Sequence, residues 1–357
     1  MSGLLELKAP TPPRPLILLG ILGAVIGCST PSPVNDLALE RRGQALALAD
    51  PVEPIGVSAT GLTVARVVFG TDTSFRLFDS TGATVGPASV PGIGVWLADE
   101  AGAFHTLAPG ALGVVALNPD GSAGPAIRFQ EPGVVRAMLG DSVDVMRLFG
   151  DGFKVVRVAA GGTGEREILD GRAPQIAELL GIGPRGAGQA PSMAALPAVT
   201  TRADRVVVGN GGTYQLLLFD AAGKSVGAIQ RTLPAAPLTS RQIEGEISQL
   251  QRSQKLSEQY LTVLRQQLAK GKMPFFSSTQ GMRFDGAGRL WVVGYEADSA
   301  FADVFSDTTF VRRFSLSCPG FDGSWDLKGE WLAVACGSRD VAAQGGELTL
   351  YRITAPR

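Results

Sequence analysis

Short segments of alternating apolar and polar residues, each bounded by a turn, make up most of the chain beyond about residue 35. One recurring unit places a turn of the form Asp-x-x-Gly directly before such a segment, at Asp99 to Gly102, Asp285 to Gly288 and Asp326 to Gly329. An aspartate carboxylate accepts backbone N–H groups within a turn, and glycine adopts positive φ without a steric clash. The pattern predicts a series of β-hairpins in which Asp99, Asp285 and Asp326 are turn residues.

A second recurring unit ends a strand on apolar residues followed by a similar turn, at Leu77 to Gly82, Leu117 to Gly121 and Leu218 to Lys224. Together the hairpins divide the chain into six units centred at about residues 75, 110, 150, 210, 300 and 340, and a spacing of roughly 40 residues is typical of a four-stranded propeller blade. One blade alone cannot bury both of its faces, so the units should pack radially around a channel. The predicted fold is all-β, a six-bladed β-propeller; the alternative is a pair of β-sandwiches with unrelated turns.

The chain resembles the six-bladed β-propeller lipoproteins of bacteria and, more distantly, NHL-type propellers. The segments that carry the resemblance are Tyr214 to Lys224, Phe284 to Val293 and Glu347 to Ile353. It covers most of residues 35–357, and its short motifs specify a fold much better than a function. The third unit departs most, because Gly140-Asp141 and Gly150-Asp151-Gly152 stand where Asp-x-x-Gly turns are expected.

Closure of the ring needs an outer strand that the last unit lacks, because the chain ends four residues after Ile353. We expect Leu37 to Ala49, or the strand just after it, to complete the last blade from the amino-terminal side.

Two insertions interrupt the period, near residues 160–197 and 232–275. The first contains Ala173 to Leu180, which predicts one short helix. In the second, Thr239 and Gln242 form a capping box, and Gly271 and Pro274 end the segment. Between them, over 239–271, apolar residues recur at helical spacing: Ile243, Ile247, Leu250, Leu261, Leu264 and Leu268. We expect one or two helices here, and packing of this stripe on its own blade is favoured over a partner-binding arm.

The amino-terminal segment has the features of an export signal. Leu16 to Gly27 is uncharged, and it is too short for a membrane-spanning helix, which needs about 20 apolar residues. Val25-Ile26-Gly27-Cys28 resembles the lipobox of bacterial lipoproteins. This resemblance implies cleavage between Gly27 and Cys28, a diacylglycerol on the Cys28 sulfur, and a fatty acyl group such as palmitate on its amino group. An ordinary signal peptide or an uncleaved anchor is the alternative.

These features divide the chain into a signal peptide (1–27), a lipidated tether (28–35) and the propeller (36–357).

Beyond Cys28 the chain contains two cysteines, Cys318 and Cys336, which both close strand-like segments. In a propeller these strand ends fall on the same face of neighbouring sheets, and exported domains meet oxidising conditions. A disulfide between them is favoured over two buried thiols.

Composition excludes several classes of function. The chain has 32 basic and 33 acidic residues, so it has no overall field that would attract nucleic acid. His105 is the single histidine; a zinc site with several imidazoles is therefore excluded. Because His105 lies inside a predicted strand, we interpret it as a structural residue. No catalytic motif, metal site or cofactor site is predicted.

The favoured function is a non-enzymatic binding or scaffold module. We expect a monomer, lipid-anchored to a bacterial membrane in the cell envelope and facing the periplasm or the exterior. Its ligand would be a protein, a peptide or a glycan. The alternative is a lactonase-like hydrolase in which acidic and amide side chains of the inner strands hold a calcium ion in the channel.

Overall fold

The computed structural model describes most of the predicted propeller. The described residues are 37–48, 55–69, 72–90, 96–108, 112–118, 122–149, 152–160, 164–180, 197–238, 240, 243–244, 247, 251, 256–272, 274–277, 281–296, 299–316, 323–337 and 346–354. The predicted signal peptide, Gly27, Cys28 and the tether lie outside them, as does Cys318. All described residues belong to one unit, Asp36–Arg357.

Six antiparallel blades of four strands form the ring, with the first and last blades joined into one eight-stranded sheet, and this confirms the predicted six-bladed β-propeller. The first blade consists of β2 (Gly56–Val57), β3 (Thr63–Phe69), β4 (Asp72–Phe78) and β5 (Thr84–Val90). The second consists of β6 (Trp96–Ala98), β7 (Phe104–Leu107), β8 (Gly113–Leu117) and β9 (Ala123–Arg128). The third consists of β10 (Val134–Leu139), β11 (Ser142–Phe149), β12 (Gly152–Ala159) and β13 (Glu165–Asp170).

The other three blades follow the same order from the inner to the outer strand. The fourth consists of β14 (Ala198–Arg202), β15 (Arg205–Asn210), β16 (Gln215–Asp220) and β17 (Ser225–Gln230). The fifth consists of β18 (Met282–Phe284), β19 (Leu290–Glu296), β20 (Ser299–Ser306) and β21 (Thr309–Leu316). The sixth consists of β22 (Gly323–Lys328), β23 (Trp331–Gly337), β24 (Gly346–Thr354) and β1 (Ala38–Leu48).

The outer strand of the last blade comes from the start of the ring, as predicted. Strand β1 pairs with β24 in an antiparallel register that runs from Ala38 opposite Thr354 to Leu48 opposite Gly346. Leu48 also pairs with Val67 of β3 in the first blade. One segment therefore connects the two ends of the ring through backbone hydrogen bonds.

The third blade is as regular as the others, although its turn motifs differ. Leu139 pairs with Ser142 and Phe149 with Gly152, so each hairpin has only two residues at its turn. Gly140 takes a φ of +59° in the first of these turns, a conformation that two-residue hairpins require and that glycine adopts readily. The Gly140 turn is therefore shorter than the Asp-x-x-Gly turns at Asp99 and Asp285, where Ala98 pairs with Phe104 and Phe284 with Leu290.

Both insertions contain the predicted helices. Helix α1 (Pro174–Leu180) buries Ile176 and Leu179 against the core between the third and fourth blades. Helix α2 (Glu258–Leu268) begins after Ser257, whose hydroxyl accepts a hydrogen bond from the Tyr260 N–H. The predicted capping box of Thr239 and Gln242, and Leu250, lie outside the described residues. No helix in the described ranges is long and apolar enough to cross a membrane.

The apolar stripe of the second insertion packs differently from the expectation. Ile243, Ile247 and Leu261 are buried in a cluster of their own. The partly buried residues around them also belong to the insertion: Leu238, Leu256, Leu264 and Leu268. The prediction that the stripe packs on its own blade was therefore wrong, because the two halves of the insertion cover each other. Leu238 also contacts the core between the fifth and sixth blades, as does Ala236 of the same insertion.

A buried ionic cluster joins the fourth and fifth blades. The Asp303 carboxylate is fully buried on β20 and accepts hydrogen bonds from the Tyr214 hydroxyl at 2.7 Å, from Arg231 at 2.7 Å and from Arg313 at 2.6 Å. Burial and the neighbouring Asp303 carboxylate raise the pKa of Tyr214 above its ordinary value, so its hydroxyl stays protonated as a donor. Two arginines on one carboxylate offset the cost of its burial.

We expect Asp303→Asn to lower the free energy of unfolding by about 3–5 kcal/mol, because Arg231 and Arg313 lose the charge that compensates theirs. Glu296→Gln is the matched control. Glu296 is exposed and also pairs with Arg313, at 2.8 Å, and such a surface pair contributes at most about 1 kcal/mol. Urea unfolding of both variants checks this, and equal losses would contradict the structural role assigned to Asp303.

Candidate binding site at the channel mouth

A cavity of about 450 Å³ opens where the inner strands end. Each blade contributes to its wall, with Ala59, residues 97–98, 100, 136–139, 200–204, 283–288 and 326–329. The inner strands of the second to sixth blades (β6, β10, β14, β18 and β22) are edge strands of their sheets. Both helical insertions connect an outer strand to the start of the next inner strand, so they leave the ring at the opposite end of the channel.

Arg136 is a deeply buried charge in this wall. It lies on β10 between apolar residues, and only 4% of its surface is exposed. Its guanidinium donates to the Met146 sulfur at 3.5 Å, which is a weak acceptor. Burial, and after it the positive charge of Arg283, lower the pKa of Arg136 to about 9. The surroundings of Arg136 therefore disfavour its cationic form, but this form is still the main one at neutral pH.

Arg283, on β18, is oriented by an acid of the next blade. Its Nε donates to one oxygen of Asp326 at 3.0 Å, while the other oxygen accepts the Val57 N–H at 3.0 Å. Desolvation raises the pKa of Asp326, and the charge of Arg283 opposes that shift. This pair joins the first, fifth and sixth blades at the mouth.

The prediction that Asp326 is a turn residue was wrong. Asp326 lies inside β22 opposite Ala333, because Lys328 pairs directly with Trp331 and the hairpin turn contains only Gly329 and Glu330. Asp285 and Asp99 do act in turns, as predicted. Asp285 accepts the N–H groups of Ala287 and Arg289, and Asp99 accepts the N–H of Ala103.

Paired charges surround the entrance of the cavity. Lys328 reaches across to Glu100 at 2.9 Å. Arg202 binds Asp204 at 2.6 Å and also donates to the Gly288 carbonyl at 2.9 Å. Because these pairs are partly exposed to solvent, they contribute little to stability. They leave the entrance nearly neutral while the wall below contains Arg136 and Arg283.

Thr201 places a hydroxyl without a partner in the cavity wall. It lies on β14 in the fourth blade, between the blades of Arg136 and Arg283, and is 5% exposed. Among the described residues, its Oγ1 has no hydrogen-bond partner. A buried hydroxyl in this state costs free energy, and a ligand in the cavity could satisfy it.

Metal binding has little support in the described part of the wall. The described ranges contain no group of three or more His, Cys, Asp or Glu residues that could hold an ion. Of the carboxylates in the wall, Asp326 is bound to Arg283 and Asp285 to Arg289 at 2.6 Å. Arg136 and Arg283 also repel a cation, so this end of the channel does not fit the calcium site of the alternative hypothesis.

The residues singled out from the sequence lie elsewhere. His105 is buried on β7, with Nε2 2.9 Å from the Asp99 carboxylate, which agrees with a structural role. Cys336 is buried near the end of β23. Cys28, Gly27 and Cys318 lie outside the described residues, so lipidation, cleavage and the disulfide stay predictions.

Sequence analysis missed Arg136, Thr201 and Arg283. A usable signal was present, because Arg136 interrupts the apolar run Val134 to Leu139, and Arg283 lies between Met282 and Phe284. A charge inside an otherwise apolar inner strand indicates a residue that faces the channel. Thr201 carries no such signal, since threonine is common in strands.

No protein-family model matches the chain, and no curated protein matches it significantly. Solved structures with a similar fold include a gluconolactonase from Xanthomonas campestris, at 10% identity and a TM-score of 0.45 over 91% of this chain and 97% of that one. Virginiamycin B lyase from Staphylococcus aureus matches at 9% identity and 0.42, over 89% and 100%. A DUF4221 family member from Bacteroides vulgatus matches at 10% and 0.44, over 90% and 99%. At these identities the likeness concerns the fold alone.

We expect the free energy of unfolding of the wild type to rise relative to that of Arg136→Met as the pH rises through about 9, because the folded wild type then releases a proton that the unfolded chain keeps. Arg128→Met, at an exposed residue of β9, is the control and should stay within about 0.5 kcal/mol of the wild type. Urea unfolding at pH values on either side of 9 measures both variants. A difference between the wild type and Arg136→Met that does not change with pH would contradict the lowered pKa of Arg136.

Proposed function

We propose that this protein is an exported bacterial lipoprotein whose propeller binds a ligand at the mouth of its central channel. The observation that carries the proposal is the cavity of about 450 Å³ to which all six blades contribute. A volume of this size is typical of sites that bury a small molecule or the end of a larger chain. The wall of the cavity also contains the buried Arg136 and the buried hydroxyl of Thr201, which has no hydrogen-bond partner among the described residues.

Binding is favoured over catalysis by the chemistry of the described wall. Its ionisable groups are arginines, a lysine and four carboxylates, each of which is bound to an arginine or a lysine. The part of the wall that the structure describes has no histidine or cysteine, and Thr201 has no base within hydrogen-bond distance there. A nucleophile needs such a base or a lowered pKa.

The proposal that the protein is anchored to a membrane is based on the resemblance of the segment ending in Gly27 and Cys28 to a lipobox. Two or three acyl chains hold a protein on a membrane stably, since each buried methylene contributes about 0.8 kcal/mol. The propeller would then work as a monomer in the cell envelope, facing the periplasm or the exterior. Its ligand is a small molecule or the end of a peptide, protein segment or glycan, and nucleic acid is not expected. Export also favours the disulfide between Cys318 and Cys336.

Expression of the full chain in a bacterium tests the anchor. The wild type should partition into the membrane fraction and show acyl groups on Cys28 by mass spectrometry, whereas Cys28→Ser should lose both. Ser29→Ala changes the neighbouring residue and should behave as the wild type. An unmodified Cys28, or a Cys28→Ser variant that stays acylated, would refute the lipoprotein assignment. A mass shift on reduction of the same sample would detect the disulfide.

A bulky residue at the mouth tests the binding site. Ala203→Trp and Ala287→Trp each place an indole at exposed turns of the cavity wall. Small molecules of positive, negative and neutral charge are screened by thermal shift. We expect hits that stabilise the wild type and lose their effect in both variants. Ala222→Trp, in an exposed turn outside the wall, should keep the hits. The proposal fails if no compound of any charge stabilises the wild type, or if the mouth variants respond equally.

A further inference from the structure

We propose that the ligand of the channel mouth is a small organic anion whose carboxylate or phosphate group lies between Arg136 and Arg283. This inference rests on the proposed function, because it names the chemistry of the ligand at the same site. Three features of the cavity carry it: two guanidinium groups, one unsatisfied hydroxyl and an apolar wall.

The two guanidinium groups come from different blades and face one cavity. Arg136 belongs to the third blade and Arg283 to the fifth, and both line the wall. Only 17% of the Arg283 side chain is exposed, and Arg136 is buried further. Burial lowers the pKa of Arg136, and electrostatic repulsion by Arg283 lowers it further. An oxyanion between them would turn this repulsion into two charge-assisted contacts.

Asp326 fixes one of the two cations without filling the cavity. Its carboxylate holds Arg283 through Nε and the first blade through the Val57 N–H. The Arg283 Nη1 atom donates to the Met282 carbonyl at 2.9 Å. These contacts restrain the guanidinium before a ligand arrives, so less rotamer entropy is lost on binding.

Thr201 completes the anion site from the blade between the two arginines. Thr201 lines the cavity, and its buried hydroxyl is without a hydrogen-bond partner among the described residues. A hydroxyl can donate to a carboxylate or phosphate oxygen. Three residues with donor groups, on three consecutive blades, therefore line one cavity.

The rest of the wall suits an organic rather than an inorganic anion. The wall includes apolar side chains from four blades: Leu97, Met138, Leu139, Phe284 and Leu327. A volume of about 450 Å³ far exceeds the space that one phosphate or sulfate ion needs. The entrance is nearly neutral because Lys328 pairs with Glu100 and Arg202 with Asp204. A polyanion would gain little at such an entrance, so the selectivity lies inside the cavity.

Isothermal titration calorimetry with matched aromatic probes at constant ionic strength tests the inference. Benzoate and phenyl phosphate carry the anion, benzyl alcohol is the neutral analogue, benzylamine is the cation, and inorganic phosphate is the bare group. We expect both aromatic anions to bind the wild-type protein at least about tenfold more tightly than benzyl alcohol, as charge-assisted contacts predict. Inorganic phosphate should bind more weakly than phenyl phosphate.

Variants assign the contacts. Arg136→Met should weaken anion binding about tenfold or more, and Thr201→Val about threefold to tenfold, while benzyl alcohol binding stays unchanged. Arg128→Met should bind all probes as the wild type does. Unfolding curves of each variant establish that it folds. Anion binding that survives Arg136→Met would overturn the inference.

The outcomes separate this inference from the function on which it rests. If neutral or cationic probes bind best and Ala203→Trp abolishes that binding, the anion inference is wrong and the binding site stands. If none of the probes binds the wild type and the wider thermal-shift screen also finds no ligand, both proposals are wrong.

Discussion

The pairing of β1 with β24 is the constraint on which the rest of the structure depends. A propeller has no sheet that wraps around its axis, so only contacts between blades hold the circle. Here the first and last blades share one strand, and Leu48 pairs with residues of both. Because all six inner strands must converge on one axis, closure determines the width of the channel. The cavity at the mouth exists only in the closed ring.

Ionic groups serve two different purposes in this ring. Asp303 has three polar partners around it and two positive charges to compensate its own. Asp144, also fully buried, binds Arg157 at 2.8 Å, and Arg157 in turn donates to the Arg202 and Ala203 carbonyls of the next blade. The Asp303 and Asp144 carboxylates thus connect neighbouring blades, and arginines compensate their negative charge. Arg136 lies in the wall of the cavity, where burial lowers its pKa, and a buried group with a shifted pKa in a cleft is a candidate for function.

The two ends of the channel differ in construction. Tight hairpins form the mouth with the cavity, where backbone contacts such as the Gly286 N–H to the Gly329 carbonyl at 2.8 Å hold neighbouring turns together. The opposite end carries both insertions, and the second has its own apolar cluster. A rigid mouth suits a binding site, because donors that are already in place lose little freedom when a ligand arrives. Selectivity for a ligand can then come from the few polar residues of the wall.

Local patterns along the chain were sufficient for the strands, the six blades, the closing strand and both helical insertions, because alternation, turn residues and helical spacing act over a few neighbours. The same patterns misplaced Asp326, since Asp-x-x-Gly looks alike whether the aspartate begins the turn or lies in the strand before it. They also missed Arg136, Thr201 and Arg283, which are far apart in sequence. These three residues come together only through the radial packing of three blades. The burial of Arg136, its lowered pKa and the cavity all result from that packing.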